Sequence, residues 1–304
     1  MRGRVHFALI LVQLLFVTLA IAGRYVLASF PAGVLMLVRV VGAAAVLLGI
    51  LALRGGPWVR DRWDLATLLI LGLVGIAANQ GLFVAGLSRT TATSATILVT
   101  TVPVFTVLGS VLTRREPPSA LKLAGIACAG AGTVYLIGPD RISLAPQAAL
   151  GNALIVTGMM CQAIYFIGSR GVLERYDSLT VSAYVMASAI GGVLPAGVDA
   201  LRHARLAEVP ATIWAWVAYI VVFPTIVTYL LQIWALRRVS PNVVAVYIYL
   251  QPLMTAMVAP LVLEGEELTP RAAAAALAIF TGVGMVLWAE HRQRREVALA
   301  AVGE

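Results

Sequence analysis

Charge is scarce in this chain. Asp, Glu, Lys and Arg together make up 12% of its 304 residues, about half the share in an ordinary soluble domain. Too few charged groups are present to clothe a water-facing surface of normal extent. Cysteine is nearly absent. Cys128 and Cys161 both fall inside long apolar runs with no spacing motif, so neither a disulfide nor a metal site is implied. Catalytic signatures are missing as well. There is no His-Glu-x-x-His, no Gly-x-Ser-x-Gly and no Gly-x-x-x-x-Gly-Lys-Ser/Thr, each of which would place a zinc, an acyl-transfer nucleophile or a nucleotide phosphate. The chain is therefore not expected to be an enzyme, to use ATP directly or to hold a cofactor or metal.

What is present is apolar. Hydrophobic residues make up 61% of the sequence, against about 45–50% in soluble domains. A membrane helix needs about 20 consecutive apolar residues, and ten such runs occur, at 6–28, 32–53, 65–87, 92–113, 119–138, 148–171, 178–199, 211–236, 241–263 and 271–290. Transmembrane β-strands alternate and are about 10 residues long. These runs are continuous and twice that length, so an all-α integral membrane protein is expected. The basic start and the stretch Ala20-Ile21-Ala22 mimic a signal peptide. The apolar run continues past them, so 6–28 is taken as the first span.

The chain repeats itself. Leu87 matches Leu236, Arg89 matches Arg238, Pro103 matches Pro252 and Thr106 matches Thr255, all at an offset of 149 residues. Gln13 falls on Gln162, Asn79 on Thr228 and Gln80 on Tyr229 at the same offset. The expected organisation is a first repeat at 1–140, a second at 141–290 and a basic tail at 291–304. Five helices per half is an odd number, so the second half enters the membrane from the opposite side. The halves are then inverted repeats.

Orientation follows from Lys and Arg counts. With the N-terminus inside, inner loops carry fifteen of these residues and outer loops five, leaving Arg24 and Arg39 within spans. Both termini are expected in the cytoplasm. The formal charge of +8 thus reports topology and anionic lipid rather than nucleic acid. Trp58, Trp63, Trp214 and Trp216 flank spans and are expected as interfacial anchors.

Each half carries a Thr/Ser-rich helix start, a proline within the following span and an acidic turn, at Arg114-Arg115-Glu116-Pro117 and at Glu264-Gly265-Glu266. With ten helices in two halves, this pattern resembles the EamA family of the drug/metabolite transporter superfamily. Gly81-Leu82-Phe83-Val84-Ala85-Gly86-Leu87 through Glu116 resembles one repeat, and Leu236 through Glu266 the other. Arg39 matches an arginine common in the second helix of such repeats. The resemblance implies a carrier, most often an exporter, of amino acids or related metabolites, in a bacterial plasma (inner) membrane. A non-transporting membrane sensor on the same fold and a proton-coupled drug or metabolite exporter are the alternatives.

Polar groups facing lipid are costly, so polar rows on spans should line the interior. Residues 3, 4 and 7 apart share a helix face. Such rows select Gln13, Asn79, Thr100, Gln162, Tyr165, Thr228, Tyr229, Gln232 and Tyr249 as substrate contacts. Arg39 is expected to attract a substrate carboxylate, and the three tyrosines to stack on an apolar or aromatic side chain. Either the Tyr249/Pro252 face of its helix or the Tyr247/Gln251 face lines the pathway, and the sequence leaves that open. Pro103 and Pro252 each remove a helical N–H donor and are expected as paired hinges. All fourteen acidic residues lie in expected loops or at helix ends, and His6, His203 and His291 are peripheral. Without a titratable group in the membrane, movement is expected by facilitated diffusion or exchange. Oligomeric state is left open and is compatible with a monomer.

Overall fold

The computed structural model describes residues 2–138, 146–262 and 271–300. The repeat boundary at 140/141, the acidic turn at 264–267 and the last four residues lie outside it, as do the side chains of Arg24 and Thr93. Among the described residues, ten helices are long and apolar enough to cross a membrane. Counting each span as one element, α1 is Arg2–Leu27, α2 Ala32–Leu53, α3 Arg62–Leu87, α5 Ala120–Ile137, α6 Pro146–Leu173, α7 Ser178–His203, α8 Ala211–Leu236 and α10 Arg271–Ala300. The span α4 is split into Ala92–Val99 and Val102–Leu112. The span α9 comprises Pro241–Val246, a 3-10 turn at Tyr247–Tyr249 and Leu250–Val262.

The spans begin where side chains can cap them. Asp61 accepts from the amides of Trp63 and Asp64, and Asp177 from that of Thr180. Thr91 caps α4 through the amide of Ser94, and Ser240 caps α9 through that of Val243. Those two caps stand 149 residues apart, so the duplication extends to hydrogen-bond chemistry that satisfies the first free amides of a helix. The expected end of the last span at residue 290 is exceeded, because α10 continues without interruption through the basic stretch to Ala300.

Packing reveals how the two halves fit. The spans α2 and α7 are equivalent in the repeat and pack on each other, as do α5 and α10. The remaining contacts come in matched sets. The spans α3 and α4 lie on α6, while α8 and α9 lie on α1. Each half therefore lends its first helix to the other half. The set of contacts maps onto itself when the halves are exchanged, as a pseudo-two-fold axis requires. Small residues allow the self-paired helices to touch. A methyl group on Gly282 would stand 2.4 Å from the Gly125 carbonyl oxygen, and one on Gly125 would stand 2.7 Å from that of Gly282. In lipid such close backbone approach replaces the hydrophobic effect as the cause of helix association.

Candidate functional site

Both α3 and α8 widen at mid-span into π-helical segments, Leu73–Ala78 and Val221–Val227. Gly75 and Pro224 occupy equivalent places in them. Such segments recur at functional sites because they displace side chains from the regular helical rows. In α8 the cause is visible. Pro224 has no N–H, so the Ile220 carbonyl loses the donor that an α-helix would supply. The Thr225 hydroxyl donates to that oxygen at 2.9 Å. Its own oxygen then accepts from Arg39 Nε of α2 at 3.0 Å. The guanidinium expected from the sequence is thus held inside the bundle by a hydroxyl that a proline has positioned.

Aromatic rings close over this centre. A Cβ on Gly75 would lie 2.5 Å from Tyr165 Cβ, so glycine is what lets α6 bring Tyr165 against α3. The Tyr165 and Tyr229 rings meet edge to face with centroids 6.4 Å apart. Gln80 Nε2 approaches the Tyr229 hydroxyl at 3.5 Å. Gln80 and Tyr229 are repeat equivalents, 149 residues apart, so the pseudo-two-fold axis passes beside them.

A second polar group joins α1 to α9, where Gln251 Nε2 donates to Gln13 Oε1 at 2.7 Å. Tyr219 donates to Thr18 at 2.9 Å, which sets the register of antiparallel α1 and α8. Five residues before Thr18 therefore lies about level with five residues after Tyr219, and Gln13 shares the depth of Pro224. Three buried atoms among the expected contacts have no hydrogen-bond partner, namely Gln13 Nε2, Tyr165 OH and Gln232 Oε1. Leaving a buried donor or acceptor unmatched costs roughly 1–3 kcal/mol, so these are the atoms with unused capacity for a polar ligand.

Three other expected contacts bond backbone carbonyls. Asn79 Nδ2 donates to the Gly158 carbonyl at 2.7 Å, clamping α3 to α6. Thr228 bonds the Phe223 carbonyl of its own helix, and Thr100 bonds that of Ile97 at the break in α4. Gln162 is half-buried on α6. On α9, Gln251 and Tyr247 are the residues that meet α1, through Gln13 and His6. Tyr249 lies against Gly130 of α5, whose added Cβ would be 3.5 Å from the tyrosine hydroxyl. Gln80 lies outside the expected contacts although its equivalence to Tyr229 is legible in the sequence, while Gln251 belongs to one of the two faces of α9 that the sequence leaves open.

The hinge prolines sit just beyond the irregularities they accompany. The backbone of α4 breaks at Thr100–Thr101, and Pro103 falls in the first turn of the next segment. In α9 the 3-10 turn ends at Tyr249, and Pro252 again falls in the first turn that follows. In α4 the N–H that Pro103 lacks has no partner within its own segment, whereas in α9 the helical run continues through the 3-10 turn into Pro252.

Ionisable groups at the helix ends are nonetheless enclosed. Lys122 of α5 is 1% exposed and reaches Glu116 at 2.6 Å and Glu290 of α10 at 2.8 Å. Asn242 Nδ2, at the start of α9, donates to the same Glu116 oxygen at 2.5 Å. Helix-end position had concealed this cluster, which is enclosed because four elements converge on it. His6 is also half-buried, sharing a 2.6 Å hydrogen bond with the Tyr247 hydroxyl.

The profile described as the EamA-like transporter family matches residues 3–138 and again 149–288. An uncharacterised transporter of Archaeoglobus fulgidus is 27% identical, covering 67% of this chain and 68% of its own. A probable terminal-alkyne amino-acid exporter of Streptantibioticus cattleyicolor is 26% identical, over 82% of each chain. Protein WALLS ARE THIN 1 of Arabidopsis thaliana is 28% identical over 75% of this chain and 67% of its own. A crystal structure superposes with a TM-score of 0.80 over 96% of this chain and 99% of the other, at 18% identity, a likeness of fold.

Proposed function

Because the chain belongs to the EamA-like transporter family, and is thus a multi-pass membrane transporter of a small molecule, we propose that it exports amino acids with apolar or aromatic side chains across a bacterial plasma membrane. The observation that carries the reading is the Arg39–Thr225 pair beside the Tyr165 and Tyr229 rings. An arginine offers a planar fork of donors suited to a carboxylate. The two rings offer apolar and π surface to a side chain. Gln232 Oε1 is an acceptor with no partner, suited to the substrate ammonium, and Gln13 Nε2 is a spare donor. A zwitterion needs partners of this kind, since isolated charges are strongly disfavoured in lipid. The name of the Streptantibioticus relative, an amino-acid exporter, supports both the substrate class and the direction.

Transport proceeds by alternating access, with the interleaved halves rocking about the centre. The breaks in α4 and α9 supply the bends. The buried Lys122 cluster ties α5, α9 and α10 together at the end that the arginine count assigns to the cytoplasm, so it closes that end while the centre faces outward. Movement follows the substrate gradient, by facilitated diffusion or exchange. A second reading, proton coupling, is favoured by the His6–Tyr247 hydrogen bond, which places an exchangeable proton between α1 and α9. Flux of radiolabelled amino acids into liposomes bearing the purified chain tests the first reading. Uptake above that of empty liposomes, saturable and competed by other apolar amino acids, is expected. No amino acid producing such flux would overturn it.

A further inference from the structure

On the basic side of the bundle, α1, α2, α7 and α8 leave a cavity of about 480 Å³ between them. That volume is in the range of specific small-molecule sites, roughly 300–1,000 Å³. Its walls are apolar, with Phe7 and Leu11 from α1 facing Leu230 and Trp234 from α8. Phe7 is 69% exposed, so the cavity opens sideways to the bilayer rather than into the polar centre. Arg4 and Arg54 also line it. Both are exposed, and neither joins an ion pair among the described residues. Arg238 adds positive charge at the rim, with its guanidinium carbon 4.0 Å from the centre of the Trp234 ring. Asp177, the nearby acid at the start of α7, has a carboxylate oxygen engaged by the Thr180 amide at 2.7 Å.

Basic residues at this membrane face are expected of any such protein. A slot of this size between four helices, apolar along its walls and flanked by two unpaired guanidinium groups, is not. We propose that the groove is a binding site for an anionic phospholipid of the cytoplasmic leaflet. One acyl chain lies along Phe7, Leu11, Leu230 and Trp234, and Arg4 and Arg54 hold the headgroup phosphate. Charge complementarity selects this occupant over a zwitterionic lipid, whose ammonium would approach the same arginines. The inference is independent of the transported substrate.

The test uses the full chain, purified in detergent and delipidated. Phosphatidylglycerol and phosphatidylcholine of identical acyl chains are titrated against thermal unfolding, and retained lipid is counted by native mass spectrometry. Phosphatidylglycerol should raise the unfolding temperature saturably, as a ligand of the folded state does, and remain bound at one per chain. Phosphatidylcholine should do neither. Arg4→Gln with Arg54→Gln should weaken phosphatidylglycerol binding roughly tenfold or more, each charge contributing near the surface. Arg4→Lys with Arg54→Lys should retain most of it. Glycerol phosphate and inorganic phosphate, which lack the chains, should produce no shift. Equal responses to the two lipids, an unaffected glutamine pair, or a shift reproduced by inorganic phosphate would each overturn the proposal.

Discussion

At the residue scale, two arrangements carry distinct consequences. Arg39 is held by a hydroxyl acceptor that Pro224 and the Ile220 carbonyl position. Arg39→Lys keeps the charge and loses the fork, so liposome flux should fall, and fall further in Arg39→Ala. Thr225→Val keeps the shape and removes a hydrogen bond to a charged group. Such bonds contribute about 1.5–3 kcal/mol, so flux at low substrate should drop roughly tenfold. Equal flux in all four proteins would remove Arg39 from the site. Lys122 makes a different prediction. Lys122→Ala removes the ammonium that Glu116 and Glu290 share, and breaking a buried ion pair costs about 3–5 kcal/mol. The unfolding temperature should fall sharply, and Glu116→Gln with Glu290→Gln in the same chain should restore much of it. Failure of that rescue would mean that packing of the lysine stem, not charge, holds the cluster.

At the scale of the element, the helix pairs and the helix breaks have opposite sensitivities. Gly282 and Gly284 are neighbours on α10. A methyl group on the first meets the Gly125 backbone oxygen, while one on the second meets nothing within 4 Å. Gly282→Ala should therefore destabilise by about 1–3 kcal/mol or more, the usual range for overpacking, because backbone yields less readily than a side chain. Gly284→Ala should be neutral by thermal unfolding. Comparable losses in both would refute the close α5–α10 approach. The breaks in α4 and α9 should respond in the reverse sense. Pro103→Ala and Pro252→Ala restore a donor to a first helical turn, so neither should lower the unfolding temperature. Both should slow flux, because a straighter helix bends less easily. Undiminished flux in the double substitution would deny the prolines a hinge role.

For the molecule as a whole, a pH gradient tests the driving force. With equal substrate on both sides of the liposome and an imposed pH gradient, an uncoupled carrier produces no net movement. Net accumulation that a protonophore abolishes, and that His6→Gln removes, would replace the gradient-driven reading with proton coupling. Topology is tested in intact cells. Cysteines placed at Arg202 should label from outside intact cells and those at Arg60 should not, because the excess of arginine on one side sets orientation.

Much of this architecture was legible without coordinates. Ten spans, two halves and opposed insertion follow from run lengths, a constant offset of 149 residues and an odd helix count. Lipid enforces those features one helix at a time, since each span must satisfy its own backbone. That Arg39, Tyr165 and Tyr229 turn into the bundle was legible for a similar reason, as polar or hydroxyl-bearing groups in apolar runs have few inexpensive positions. What the sequence left undecided depends on which helices meet. The exchange of first helices between halves, the use of Asn79 as a clamp on Gly158, and the turn of Gln251 toward Gln13 all arise between spans far apart in the chain. So does the enclosure of Lys122 between Glu116 and Glu290, whose positions at helix ends gave no sign of burial. The π-helical segments were hidden for a further reason. The widening in α8 goes with the donor missing at Pro224, and the one in α3 contains Gly75, which packs on Tyr165; periodicity counted at 3.6 residues per turn passes over both. Hydropathy and repetition determined which segments enter the membrane and in which direction, while close packing between the segments decided which polar atoms bond each other and which stay free for a ligand.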